Sequence, residues 1–377
     1  MSRDLILVAL AMMTWGIGEG MFLYFEPLYL EELGAGPVLI GAIIGGIGLA
    51  MTISHLPAGL LADRYGRRPL LFAAWGLGTL ATWMMALASS LPAFVIASAL
   101  YGFTSFVIVP LNSYITAARG RWSVGRAITL ISAAFNLGAI LGPLLGGWIG
   151  NELGLRRTFF FAALFFVLST LIILFIRPQP VEKLALEQKH NGWRDLLNPR
   201  YTRYLFVVFI AMFFMYLPQP LSQNFLQNER GVNLAGIGQL IAARSAGVVL
   251  LNLVLGQMNA RTGFLLAQFL MGLFSLLVWQ GTGLPWYMMG YLLLGSYQTA
   301  RSLATAQGRA LIDEARMGLG YGMIETVSST AIILAPPLAG FLYSQNPTWI
   351  YSISLGLIGL AFVSSTLLSP IKVEDIA

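Results

Sequence analysis

The 377-residue sequence contains no cysteine. Disulfides, thiolate catalysis and cysteine-bound zinc or iron–sulfur centres are therefore excluded. Histidine occurs only at His55 and His190, so no H-E-x-x-H metal motif can be written. The only lysines are Lys183, Lys189 and Lys372, and none follows a glycine, which removes the phosphate-binding loop of an ATPase. The glycine-rich run at 318–322 lacks the strand and the acidic residue of a dinucleotide site, and no potassium-filter sequence occurs. Charge is scarce as well: 10% of residues are Asp, Glu, Lys or Arg, against about 25% in soluble domains. What replaces it is apolar, at 57% of the chain. A water-soluble globule cannot cover that much apolar surface, so lipid must face part of it. A soluble enzyme, a secreted disulfide scaffold and a disordered chain are excluded together.

A membrane helix needs about 20 mostly apolar residues. Twelve such stretches can be marked, at 5–30, 39–62, 69–89, 92–117, 125–150, 157–177, 202–226, 234–258, 263–282, 286–309, 319–343 and 348–368. The remainder is too short for a sizeable extramembrane domain. The longest connection, 178–200, carries Lys183, Glu187, Lys189 and His190 and reads as a solvated linker. The first span is not expected to be a cleaved leader: it is too long, holds Glu19 and Glu26, and lacks a small-residue cleavage site. If the N-terminus is cytoplasmic, 17 of the 22 Lys and Arg residues fall in cytoplasmic segments. Only Arg156, Arg157 and Arg230 fall outside, while Arg244 and Arg301 lie within spans. The positive-inside rule then places both ends in the cytoplasm. It accounts for the net charge of +6 without a nucleic-acid partner.

An internal repeat runs through the chain. A shift of 193 residues superimposes Leu91 and Pro92 on Leu284 and Pro285, Gly102 on Gly295, Pro143 on Pro336 and Gly147 on Gly340. A shift of 197 superimposes Gly59 on Gly256, Arg64 on Arg261 and Gly66 on Gly263. Together these matches lay spans 1–6 over spans 7–12. The expected organisation is an all-α membrane protein with two pseudo-symmetric six-helix bundles, 1–177 and 201–377, joined by the linker 178–200. Such repeats are typical of secondary transporters, whose site lies at the repeat interface near the midplane.

Two motifs carry further information. The first, G-L-L-A-D-R-Y-G-R-R-P-L, runs from Gly59 to Leu70 between spans 2 and 3. A positive-inside loop explains its arginines but not the spacing of Gly59, Asp63, Arg64, Gly66 and Arg67. The second, G-A-I-L-G-P-L-L-G-G, runs from Gly138 to Gly147 and includes Gly142, Pro143 and Gly146. Small residues four apart let helices pack closely in lipid, and Pro143 bends its helix.

The Gly59–Leu70 segment resembles the signature loop of the major facilitator superfamily. The twelve spans, the six-plus-six repeat and the degenerate second copy at Gly256, Arg261 and Gly263 fit the same family. The resemblance covers essentially the whole chain. It implies that Asp63 is a conformational latch, meeting the N-terminus of span 11 when the cytoplasmic side is closed; Ala260 replaces the aspartate in the second copy. A carboxylate at a helix N-terminus is favoured by the macrodipole. The Gly138–Gly147 pattern is similar to that of drug–proton antiporters of this superfamily. One position departs from them: where they carry an arginine in span 4, this chain has Ser98. The family pattern also implies a cavity lined by spans 1, 4, 7 and 10.

Ionisable groups at bilayer depth cost roughly 2.5–3.5 kcal/mol and are functional candidates by default. Glu19, Arg244, Arg301 and Glu325 stand out, with His55 weaker and Glu26 near the outer edge. Met12, Trp15, Phe22 and Glu26 share the face of Glu19 by helical spacing and read as a cavity lining around a carboxylate. Two readings of Glu19 remain open, proton coupling or substrate binding, and permanent pairing with an arginine. Arg301 and Glu325 lie at similar depth and can meet, either as a latch that breaks or as simple neutralisation. Arginine stays charged, so Arg244 can hold an anionic group but not carry the proton. Asn112, Tyr216, Gln219, Tyr297 and Gln298 complete the expected cavity.

The expected function is alternating-access transport, foremost proton-coupled export of small amphipathic organic compounds from the cytoplasm. Glu19 and Glu325 are the candidate proton-coupling groups. Proton-coupled uptake of a nutrient or translocation of a lipid is the alternative, and a non-transporting receptor or a channel is more remote. No enzymatic activity, cofactor or metal is expected. The expected partners are a small-molecule or lipid substrate, protons and membrane lipids, around a monomer in a bacterial inner membrane.

Overall fold

Long apolar segments with capped, charged ends fold as helices throughout the computed structural model, which describes residues 2–179, 198–312 and 317–368. Side chains at 55–65, 109 and 317–318 lie outside this description. Among the described residues no strand occurs. Among the described residues, ten helical stretches, with Leu91–Ala118 taken as one, are long and apolar enough to cross a membrane.

The first repeat comprises α1 (Arg3–Phe22), α2 (Glu26–Glu32), α3 (Pro37–Tyr65), α4 (Arg67–Leu87), α5 (Leu91–Phe103), α6 (Ile108–Ala118), α7 (Val124–Leu153) and α8 (Leu155–Ile173). The second comprises α9 (Pro199–Tyr216), α10 (Ser222–Asn228), α11 (Leu234–Leu255), α12 (Ala260–Gln280), α13 (Leu284–Leu294), α14 (Ser296–Gly308), α15 (Met317–Gln345) and α16 (Trp349–Leu368). Polar caps set several starts. Ser2 Oγ accepts from Leu5 N at 3.1 Å, and Asn198 Oδ1 accepts from Tyr201 N at 2.8 Å. The turn between α3 and α4 is made at Gly66, whose φ of +83° suits glycine alone.

The structure departs from the expected spans in one systematic way. Span 1 is broken between α1 and α2, and span 4 passes through a 3-10 turn, Thr104–Val107, between α5 and α6. Span 7 is broken between α9 and α10, and span 10 at Gly295 between α13 and α14. The other eight spans are single helices. Prolines mark three of the breaks: Pro27 at the start of α2, Pro110 just beyond the 3-10 turn, and Pro218 and Pro220 ahead of α10. Proline removes a helical donor and crowds the preceding turn.

The chain forms two compact units. One gathers Met1–Ala35, Gly46–Leu184 and Gly231–Ala242; the other gathers Gly36–Gly45, Ala185–Arg230 and Ala243–Ala377. Each unit thus takes a short piece of helix from the opposite repeat. The physical reason is glycine. In the first unit a Cβ at Gly147 would meet Leu234 O at 2.6 Å and Gly238 Cα at 2.9 Å. In the second a Cβ at Gly340 would collide with Pro37 O. These are the two glycines that the 193-residue shift superimposes, and each holds a helix end at backbone distance. The shifted pair Gly102 and Gly295 behaves alike: Gly102 abuts Ile47 and Met51 of α3, and Gly295 abuts Gly247 and Val248 of α11.

Within the first unit α1 packs on α7 and α8, and α4 on α8. A Cβ at Gly138, Gly142 or Gly146 would collide with the carbonyl oxygen of Met13, Ile17 or Met21 respectively. Gly16 and Gly20 answer from α1, against Phe135 and Pro143. The motif glycines are therefore the seam that seats α1. In the second unit α9 packs on α15 and α16, and α12 on α16, α13 and α14.

Candidate functional site

The first unit surrounds two carboxyl groups. Glu19, half-buried on α1, accepts a hydrogen bond from Trp15 Nε1 at 3.0 Å. The Tyr101 hydroxyl from α5 also bonds this carboxyl. Trp15 cannot swing away. Its ring lies against Gly78, where a Cβ would collide with it. It is boxed by Trp75 at 5.1 Å, Phe166 at 4.5 Å and Tyr101 at 6.2 Å between ring centroids. Trp75 is pinned in turn: its Nε1 donates to Ser169 Oγ at 2.8 Å, and Ser169 donates to Ala11 O on α1 at 2.7 Å. Phe22 packs edge-on against Tyr101 at 5.0 Å.

This arrangement differs from the expected open lining. Trp15 is 6% exposed and Phe22 1%, so both are core rings bracing Glu19 and not an open cavity wall. Glu26, expected near the outer edge of the membrane and in the cavity lining, is 6% exposed. The Ser98 hydroxyl is its hydrogen-bonding neighbour, and Glu26 Oε1 has no partner among the described residues. Ser98 Oγ also lies 3.4 Å from Met85 Sδ. Tyr101 sits within electrostatic range of both carboxyls. Among the described residues of this unit, no Arg or Lys pairs with Glu19 or Glu26.

The second unit is built differently. Arg301 on α14 forms an ion pair with Glu325 on α15 and donates to Ser329 Oγ at 3.2 Å. The Glu325 side chain is 52% exposed and that of Arg301 22%, so the pair is open to the surroundings on the Glu325 side. Tyr297, on the turn before Arg301, is buried and packs on half-buried Tyr216 at 5.3 Å. Arg244, Arg301 and Glu325 all lie within electrostatic range of Tyr297. Five residues singled out in the sequence are thus brought together. Gln219 is buried and spends its amide on Met215 O at 2.9 Å, which makes it a helix-end brace and removes it from the expected cavity lining. Gln298 and Asn112 are exposed.

Some expected residues cannot be placed. The side chains of His55, Gly59, Asp63 and Arg64 lie outside the described residues; Gly66 makes the turn and Arg67 begins α4. Sequence reasoning also missed residues. Tyr101 was overlooked although it adjoins Gly102, a repeat-matched glycine, and Trp75 and Phe166 gave no signal beyond being aromatic in an aromatic-rich chain. Tyr204 and Tyr201 donate to Ala304 O and Gly320 O, clamping α9 to α14 and α15.

Comparison with known proteins agrees with this architecture. The family model described as Major Facilitator Superfamily matches residues 6–225. The multidrug resistance protein MdtG of Escherichia coli is 32% identical over 214 residues, covering 54% of this chain and 52% of MdtG. An uncharacterized MFS-type transporter, MJ1560 of Methanocaldococcus jannaschii, is 27% identical over 173 residues, covering 46% of this chain and 45% of that protein. The chain spans about half the length of the curated relatives it matches. Among solved structures, the nucleoside transporter NupG aligns with a TM-score of 0.82 at 14% identity, over 98% of this chain and 100% of the other. A bacterial homologue of the lysosomal transporter Spinster aligns at 0.76, also at 14% identity, over 98% and 97%. These likenesses show the fold. The chain is a multi-pass integral membrane protein and belongs to the Major Facilitator Superfamily.

Proposed function

We propose that this chain is a proton-coupled exporter of small amphipathic organic compounds, working by alternating access without chemical conversion of its substrate. The observation that carries the reading is the seating of Glu19. Its carboxyl is held by two neutral donors, Trp15 Nε1 and the Tyr101 hydroxyl, with no Arg or Lys pairing to it among the described residues of its unit. A carboxylate locked to a guanidinium cannot exchange its proton cheaply; one held by neutral donors can exist in either state. This seating supports proton exchange over permanent pairing with an arginine as the reading of Glu19. Glu26, buried beside Ser98 and without a paired cation among the described residues of its unit, is the second exchangeable carboxyl. The Arg301–Glu325 pair acts as a latch that opens when the cluster around Tyr297 meets substrate.

Several further features belong to this proposal. The partial likeness to MdtG, a multidrug resistance protein, favours export. The protein acts as a monomer in a bacterial inner membrane with both termini cytoplasmic. The repeats 1–177 and 201–377 are the rocking bodies, and 178–200 links them on the cytoplasmic side. Asp63 latches the cytoplasmic face. Four broken spans, 1, 4, 7 and 10, support a transport site, because interrupted helices in transporters offer backbone groups to cargo near the midplane.

The test is proton movement in acid-loaded everted vesicles, with cationic, neutral and zwitterionic amphiphiles, for wild type and Glu19→Gln. Substrate-triggered alkalinisation of the lumen is expected for wild type, with a loss of about tenfold or more in the variant. If no compound moves protons in verified, folded protein, export gives way to nutrient uptake or lipid translocation. Replacing Asp63 with Asn is expected to slow transport while leaving substrate binding in place; equal loss of both sinks the latch role.

A further inference from the structure

We infer that the second unit carries a binding groove for an anionic phospholipid on its lipid-facing side, between α12 and α16. The groove has a volume of about 340 Å³ and is lined by Gln268, Gly272, Leu276, Leu355, Gly359 and Phe362 among others. Gln268 is the one polar lining residue, and it is spent internally. It is fully buried, with its Nε2 3.0 Å from Ser365 Oγ. The groove therefore offers an acyl chain only apolar surface, flanked by exposed Phe269 and Leu276.

What selects the headgroup lies two turns away. Arg261 precedes Gln268 by seven residues on the same face of α12, about 10 Å along the helix. Its Nη2 donates to Thr366 O at 2.6 Å, which fixes the guanidinium across the ends of α12 and α16. Its buried Nε has no hydrogen-bond partner among the described residues, and no carboxylate among them pairs with it, so within the described residues this cation is anchored but not neutralised. The positive-inside distribution puts this end of the groove at the cytoplasmic leaflet. Anionic lipid concentrates there, and a basic group between helix ends is the feature that captures its phosphate. An acyl chain in the groove and a phosphate on Arg261 fit one molecule; a soluble anion would use the arginine but not the groove.

The test is native mass spectrometry of the purified full-length chain. It is equilibrated with equal amounts of phosphatidylglycerol and phosphatidylcholine bearing identical acyl chains. Wild type is expected to retain phosphatidylglycerol over phosphatidylcholine by about fivefold. Arg261→Gln and Arg261→Met should abolish the preference, while Arg261→Lys keeps most of it. Gly359→Leu fills the groove: a Cβ at Gly359 meets nothing within 4 Å, so the backbone tolerates it. That variant should lower retention of both lipids with Arg261 still in place. Equal retention of the two lipids by wild type overturns the inference. So does a preference that survives both neutral variants, or retention unchanged in Gly359→Leu. Each variant is scored only as monodisperse protein, and the groove and charge arms fail independently.

Discussion

Both units hold carboxyl groups in a helical frame, but they balance them differently: Glu26 is buried and Glu19 half-buried, while the Glu325 side chain is 52% exposed. In the first, Glu19 and Glu26 sit among Trp15, Tyr101 and Ser98, which are neutral hydrogen-bonding groups. In the second, Glu325 is met by Arg301, and Arg301 has Ser329 as a second partner. A carboxyl among neutral donors can change its charge without breaking a pair. A paired one must first lose its partner, here Arg301, before its charge can change freely. The proposed function rests on this contrast, with proton exchange proposed for the first unit and conformational gating for the second. Ser98 sharpens it. An arginine at this position, as in the antiporters that the sequence resembles, would face Glu26 and make the first unit resemble the second.

The largest test removes the seat of Glu19 altogether. Gly142→Leu drives a side chain into the Ile17 carbonyl and separates α1 from α7. Overpacking costs about 1–3 kcal/mol even where some relaxation is possible; here the expected outcome is little or no folded protein by size-exclusion chromatography. Normal yield would show that the seam does not hold α1.

Next comes the direct comparison of acids. Glu19→Gln should reduce substrate-driven proton movement by about tenfold or more, and Glu325→Gln by markedly less. Equal losses would break the division of labour between the units. Reversing the pair, Arg301→Glu with Glu325→Arg, should restore more transport than either single reversal. Absence of rescue would leave the two residues acting separately. The smallest effect is expected from Trp15→Phe, which keeps a ring against Gly78 but deletes the donor to Glu19. Charge-assisted hydrogen bonds are worth about 1.5–3 kcal/mol, so a partial fall in transport rate is expected, smaller than that of Glu19→Gln. A larger loss would make the tryptophan itself essential.

Much of the fold was legible in the sequence because its causes are local. Hydropathy marks the spans, and the helix ends fall within a few residues of the expected ones where the span is unbroken, as with 125–150 against Val124–Leu153. Breaks were harder to see. Pro27, Pro110, Pro218 and Pro220 are visible in the sequence, but proline bends one helix and ends another, as Pro143, inside an unbroken α7, shows. At the site, Glu19, Arg244, Arg301 and Glu325 were legible because charge in an apolar run is rare. The Arg301–Glu325 pairing was legible too, from their similar depth; the seating of Glu19 was not. Trp15 and Phe22 share a helical face with Glu19, and spacing alone cannot tell a cavity wall from a core; burial at 6% and 1% decides it.

The sequence by itself determined membrane insertion, the number and order of the spans, the repeat, and which charges are costly. These follow from composition and from transfer free energies that act residue by residue. The tertiary structure alone decided which charges are neutralised. Whether Glu19 meets an arginine or a tyrosine depends on how α1 is seated, and the glycine contacts that seat it on α7 join residues more than a hundred positions apart. It likewise decided that Gly147 and Gly340 bind helix ends from the opposite repeat, since close packing depends on the partner's backbone as much as on the glycine.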